Sequence, residues 1–505
     1  MNNPSPAPNV SLLKMVGYGL GECANSLVMN GFFGFAMLYY TEALKLSPSL
    51  AGIAMSVSVF WEAITEPVMG HFSDRTRSRF GRRHPWMLLG GMLMAACFYF
   101  IWAVPAPLRG HAMPLFWYLV TMNLLLRTGL TMFFIPYVAL GFEMVGDYEG
   151  RSKIQAVRQV LNMAANFAGP ALAWSIFFRD TAAQDGTKVL GTSVPQNFIN
   201  MGAAFSLATV VFVLLVLWLT RNWIENTGAQ ARHNDSAKGQ NFWRDMKNIV
   251  LDPNPRWVFI FIFFVCVGMV LVSALQMYVY VYFMKFEPYQ KSIAHGSTMI
   301  GMAVGAAISP WLARRLDKKG AVLLGGILSV ACNGILAASF LTGWVPVGTQ
   351  TALWLFVVFH ASYWLGNGIM LPVATAMIAD VAELHRARTG VNKDGGYSAV
   401  FSLAMRLAIS FSLIVAGWTL TGIGFVEDAA HTTQTAAVIW RLGAATLIAG
   451  PLMYIGSLMA ISRYPLTREI IRNLTNKYAA GVEQTNESTG NKTPETRLLG
   501  NEFNA

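Results

Sequence analysis

Charge is what this sequence has least of. Only 12% of its 505 residues are Asp, Glu, Lys or Arg, while 54% are hydrophobic; soluble globular chains are about a quarter charged. A length of 505 would otherwise suggest several soluble domains, and the composition excludes that in favour of one polytopic membrane protein. Cysteine is almost as scarce. The four present, Cys23, Cys97, Cys266 and Cys332, fall in apolar runs and form no CxxC. That excludes a disulfide framework and a thiolate zinc site and leaves small buried hydrophobes. No GxxxxGK[ST], no HExxH and no nucleophile triad occurs, so neither ATP nor any cofactor is expected and the chain does not read as an enzyme. The glycine strings GYGLG and GMAVGAA instead suit close helix approach. The opening MNNPSPAPNVSLLK lacks a basic n-region and a small-residue cleavage site, and does not read as a cleaved signal peptide.

What is abundant is long apolar sequence. Runs able to cross a bilayer recur twelve times, at 15–40, 48–71, 85–104, 114–144, 158–178, 200–221, 256–286, 292–312, 321–342, 351–381, 396–424 and 435–462. In lipid such runs must be helices. The fold class expected is therefore all-α and polytopic, with twelve transmembrane helices. The polar stretch 222–255 divides them into six-helix units at 15–221 and 256–464, behind a short N-terminal segment (1–14) and ahead of a polar tail (465–505) that reads as partly disordered.

The basic residues set an orientation. With both termini on one side, 27 of the 37 Lys and Arg lie on that side. Six lie opposite: Lys45, Arg109, Arg179, Lys188, Lys285 and Lys291. Arg127, Arg158, Arg406 and Arg441 sit within spans or at their edges. The positive-inside rule then predicts cytoplasmic termini in an inner or plasma membrane. It also assigns the net charge of +11 to topology rather than to nucleic acid.

Within the second span, SVFWEAITEPVMG carries Glu62 and Glu66 one helical turn apart. Acids at membrane depth mark ion or proton pathways. Two close carboxylates suit a hard cation such as Na⁺, and their mutual repulsion when empty equally suits a proton. Glu22 and Arg127 are further intramembrane charges; a Glu22–Arg127 or Glu66–Arg127 pair is one reading, and a hydroxyl-binding role for Glu22 is the other.

The loops carry a more specific signal. GHFSDRTRSRFGRRHPW after the second span and ARRLDKKG after the eighth place an acid and clustered bases at matching helix ends, as parallel repeats do in the major facilitator architecture. WEAITEPVMGHFSDRTRSRFGRRHPW, PYVALGFEMVGDYEGRSK and IADVAELHRARTGVNKDGGY, with YYTEALKLS at the end of the first span, together resemble the glycoside–pentoside–hexuronide:cation symporters, the family of the melibiose permease. The resemblance spans nearly the whole chain. It implies two pseudo-symmetric six-helix bundles, and cation ligands at Glu62 and Glu66 with oxygens from Thr65 and Thr131. Each acid is one methylene longer than the family's aspartate, which leaves Na⁺ and H⁺ both open.

The substrate positions depart from that family. Its sugar-binding aspartates fall on Ser26, beside Asn25, and on Phe134 or Ile135, while its stacking tryptophan falls on Val138. Arg158 matches a family arginine near the sugar, and Arg406 stands where the family has a lysine. The expected substrate pocket is thus Glu22, Asn25, Ser26, Phe134, Arg158 and Arg406, with an interhelical salt bridge as the competing role for Arg158. Asp74, Arg75, Arg82, Arg83, Arg151, Asp380, Glu383 and Arg388 at inner helix ends read as a cytoplasmic gate. The function implied is a cation-coupled symporter for a sugar or glycoside. A symporter of a non-sugar amphiphile such as a lysolipid is the alternative within transport, and a transporter-like solute sensor is the alternative outside it.

Overall fold

The computed structural model describes residues 11–145, 148–182, 188–221, 249, 253–389, 394–426, 434–466, 468–470 and 473. Most of the central polar loop and of the tail lie outside these described residues. Apolar sequence closes its backbone hydrogen bonds locally, and the helices follow the runs: α1 (Leu12–Leu38), α2 (Pro48–Arg75), α3 (His84–Trp102), α4 (Ala112–Met144), α5 (Tyr148–Leu172), α6 (Pro195–Leu219) and α7 (Pro253–Tyr278). The next helical run, Pro288–Leu341, is two spans, α8 (288–316) and α9 (318–341), because Asp317 turns the chain at φ 63, ψ 162. α10 (Gln350–Thr389), α11 (Asp394–Gly422) and α12 (Ala436–Ser462) complete the set. Among the described residues ten continuous runs, the double span among them, are long and apolar enough to cross a membrane. α1 falls short because Glu22, Asn25 and Asn30 lower its hydropathy. Among the described residues the exception to helix is a two-residue antiparallel pair, Thr181 opposite Val189 and Ala182 opposite Lys188.

The two halves repeat one another at a spacing of 240 residues. α1 runs into a π-helical turn at Tyr39–Ala43, and α7 into one at Val279–Phe283. Lys45 and Lys285 follow, both with positive φ (59° and 55°), before Pro48 and Pro288 open the next helices. The backbone bonds repeat too: Leu46 donates to the Tyr40 carbonyl, and Phe286 to that of Tyr280. Three identities (Tyr40/Tyr280, Lys45/Lys285, Pro48/Pro288) accompany this backbone repeat.

Within the first half α1 packs on α5 and α6, α2 on α4, and α3 on α4 and α6; within the second, α12 packs on α7. The halves meet chiefly where α2 lies against α11 and α5 against α8. The α2–α11 approach is close enough to require glycine. A Cβ on Gly52 would strike the Leu413 carbonyl oxygen, and one on Gly417 the carbonyl oxygen of Pro48. Other contacts between halves gather on the same face, that of the α1–α2 and α7–α8 turns. The Thr41 and Tyr278 hydroxyls are 2.7 Å apart, and those of Ser175 and Ser292 3.0 Å apart. The seam is therefore sealed on the face opposite the basic loops. All four cysteines are buried and unpaired.

Candidate functional site

Glu62 and Glu66 share a face of α2 because they are four residues apart. α4 turns a matching stripe, Arg127 and Thr131, toward them, and α11 brings Arg406 from the other half. Arg406 Nη1 lies 2.6 Å from Glu62 Oε2, and its Nη2 bonds Glu66 Oε1. Arg127 Nη1 reaches the same Glu62 oxygen at 2.9 Å. Two carboxylates thus face two guanidiniums, and the cluster is neutral. Glu62 and Arg127 are 5% and 3% exposed, so this pair is dry. Arg127 is further held under the Phe33 ring, 4.8 Å from its centre. The Thr65 and Thr131 hydroxyls, expected to act together, lie 3.5 Å apart.

This geometry reassigns two arginines. Arg127 pairs with Glu62 rather than with Glu22 or Glu66. Arg406, expected in the substrate pocket, sits on both carboxylates of the proposed cation site. A bidentate guanidinium fits two carboxylates one turn apart better than a point charge would.

A second polar line runs between α1 and α5. Arg158 Nε lies 2.7 Å from Glu22 Oε1, the interhelical salt bridge. Asn162 Nδ2 donates to Glu22 Oε2 and to Ser26 Oγ, each at 3.0 Å. Asn166 Nδ2 donates to Asn162 Oδ1 at 3.0 Å, and Asn30 Nδ2 donates to Asn166 Oδ1 and to the Ser26 carbonyl. The line exists because Glu22, Ser26 and Asn30 on α1, and Arg158, Asn162 and Asn166 on α5, each step by four residues and share faces. Asn162 and Asn166 are not marked by charge, and only their four-residue steps from Arg158 in RQVLNMAANFAG signal them. Asn25 lies half-buried on α1. Phe134 packs on Tyr137, which stacks on Tyr18 at 4.5 Å. Hydroxyl, amide and charged groups beside an aromatic wall suit a polar ligand with an apolar face.

The polar residues of the second half are tied into its own core. Gln276 Oε1 and His360 Nε2 lie 3.3 Å apart, Trp364 donates to the same His360 nitrogen, and Tyr454 donates to Asn367 Oδ1 at 2.6 Å.

At the basic face, Arg82, Arg83 and Lys318 make their ion pairs inside their own halves. Arg82 and Arg83 hold Glu143 at 2.6 and 2.9 Å, and Arg83 also holds Asp74 at 2.7 Å. In the other half Lys318 holds Asp380 at 2.6 Å. Arg75, Glu383 and Arg388 are exposed there, and the side chain of Arg151 lies outside the described residues. Pairs of this kind within a half fit a basic face that is parted while the opposite face is sealed.

Comparison with known proteins agrees with the fold. The chain is 23% identical to the inner membrane symporter YicJ of Escherichia coli, over 94% of this chain and 96% of that one. It is 30% identical to the sodium-dependent lysophosphatidylcholine symporter 1 of Gallus gallus over a shorter stretch, 28% of this chain and 26% of that one. Its fold matches a bacterial homologue of the iron transporter ferroportin in an inward-facing state, with a TM-score of 0.62 at 15% identity, covering 90% of this chain and all of that one. The profile of the family described as MFS/sugar transport protein matches residues 17–468. The chain belongs to that family of major facilitator glycoside/cation symporters, and is a multi-pass membrane transporter rather than an enzyme.

Proposed function

We propose that the protein couples a cation, Na⁺ or H⁺, to uptake of a sugar or glycoside, with both termini cytoplasmic in the inner or plasma membrane. The observation that carries this reading is Arg406 seated on Glu62 and Glu66 across the two halves. A cation entering that site competes with Arg406 for the same oxygens. Binding the ion therefore loosens the strongest polar tie between α2 and α11 and makes rocking of the halves conditional on occupancy. Coupling of this kind is a shared free energy, so ion and substrate each tighten the other. The Arg158–Glu22–Asn162 line is the proposed substrate surface, with hydrogen-bonding groups suited to hydroxyls. The charged residues at the basic face, Asp74, Arg75, Arg82, Arg83, Arg151, Asp380, Glu383 and Arg388, are the proposed gate, pairing across the halves when the basic face closes.

One observation favours a second reading. The stretch shared with the lysophosphatidylcholine symporter is the most similar of the relatives named above, and an amphiphile would use the same polar line for its head group. Uptake into proteoliposomes decides, using labelled sugars and lysolipids with Na⁺ and pH gradients varied separately. Accumulation of a sugar that follows one gradient, and is lost in Glu62→Ala and Glu66→Ala, supports the proposal. Lysolipid uptake without sugar uptake replaces it.

A further inference from the structure

Away from both polar lines, one acid is buried on the sealed seam. Glu42 lies in the π-helical turn Tyr39–Ala43 and is 3% exposed. Its counterpart 240 residues on is Tyr282, in the matching turn of the second half, and the two face each other where the halves meet. Around the carboxyl stand the Tyr282 hydroxyl from beyond α7, Thr192 from the α5–α6 connection and Lys291 from α8, with Tyr278 beside the adjoining Thr41. Both Glu42 oxygens, the Tyr282 hydroxyl and the Thr192 hydroxyl are buried and none meets a partner in good hydrogen-bond geometry, although both hydroxyls lie close enough to the carboxyl to turn toward it. The Lys291 ammonium is drawn over the Trp174 ring, 4.8 Å from its centre, and gives Glu42 no hydrogen bond.

A carboxylate so placed is costly when charged and tolerable when neutral. The same carboxyl is hydrated once the halves part on this side, and there it is stable as the anion. We propose that Glu42 is a proton-binding site of the seam: the carboxylate takes a proton from the solution on this face as the halves close over it, and returns it to water when they part. The proton adds to one carboxylate oxygen, and hydronium becomes water. This site lies apart from Glu62 and Glu66, and its test needs no substrate, so its failure and the failure of the coupling proposal are scored separately.

The sign is set by burial. Low pH fills the site and favours the sealed seam; high pH ionises the acid and favours the open one. Lys45 and Lys285 are exposed equivalents flanking the seam. Spin labels at Lys45→Cys and Lys285→Cys, in full-length protein in nanodiscs with the four native cysteines replaced, report its opening by pulsed electron resonance. A short distance is expected at pH 5.5 and a long one at pH 9, with the ratio of the two populations changing by up to about tenfold per pH unit, the limit for one proton. Glu42→Gln should hold the short distance at both pH values, and Glu42→Asp should keep the response. A distance that ignores pH in the parent overturns the proposal, as does a response that survives in Glu42→Gln or vanishes in Glu42→Asp. A response that persists in Glu42→Gln but disappears in Lys291→Met moves the site to the ammonium, and overturns it too.

Discussion

Arg406 of α11 and Glu62 of α2 meet across the two halves, Nη1 to Oε2 at 2.6 Å. The two residues are 344 positions apart, and the same guanidinium also bonds Glu66. An internal cation thus occupies the oxygens proposed for an external one. At an effective dielectric constant near 20, a unit charge about 4 Å away contributes about 4 kcal/mol, which sets the scale of the competition.

Removing the competitor should tighten ion binding while uncoupling it from movement. Arg406→Gln is expected to raise cation affinity about tenfold or more, since about 1.4 kcal/mol suffices, and to abolish gradient-driven accumulation. Titration of purified protein with Na⁺ at fixed pH, followed by intrinsic fluorescence, reads the first effect. Unchanged affinity would remove Arg406 from the ion's site.

Glu62 and Arg127 form a dry pair, with side chains 7% and 4% exposed. Glu62→Ala strands Arg127 in a low dielectric, at a cost of about 3–5 kcal/mol, whereas Arg127→Ala leaves Glu62 held by Arg406. Glu62→Ala should lower thermal stability sharply, Arg127→Ala should lower it less, and the double variant should be more stable than Glu62→Ala alone. Additive losses in this double-mutant cycle would mean that the pair is not energetically linked.

Asn162 joins Glu22 to Ser26 and is the centre of the α1–α5 line. A hydrogen bond to a charged group contributes about 1.5–3 kcal/mol. Asn162→Ala should therefore raise KM for the transported solute about tenfold or more, without altering the dependence on the driving gradient. A change in ion dependence with KM intact would place Asn162 in the coupling machinery instead.

Spacing inside one helix was legible in the sequence, and pairing between helices was not. Glu62 and Glu66 stand out because an apolar run makes any acid conspicuous and four residues make one turn. The twelve runs and the two halves follow from the cost of unpaired backbone in lipid. Which arginine meets which acid depends on how α2, α4 and α11 are rotated about their axes. Hydropathy fixes no rotation when every face is apolar. Sequence position alone accordingly groups Arg406 with the substrate, whereas its guanidinium lies on the carboxylates. Asn162 and Asn166 carry no charge to make them conspicuous; only their four-residue steps from Arg158 mark them. The repeat of the two halves is legible in the matching loops after the second and eighth spans, but its 240-residue register is not. That register resides in backbone geometry, two π-helical turns and two positive φ angles, while few side chains at those turns match.

The close approach of α2 to α11 gives a last prediction about the seam itself. Gly417 has no room for a Cβ against the Pro48 carbonyl, and backbone at a helix crossing cannot move aside as a flexible side chain can. Overpacking of this kind costs about 1–3 kcal/mol, a 5- to 150-fold change in population at about 1.4 kcal/mol per tenfold. Gly417→Val is expected to disfavour the sealed seam by that factor, lengthening the distance between labels at positions 45 and 285 and stopping transport while the protein still inserts. Gly422, five residues on in the same helix, has nothing within 4 Å of where a Cβ would lie. Gly422→Val should therefore leave both distance and uptake near those of the parent. Equal loss in the two variants would trace the defect to α11 helicity rather than to its contact with α2.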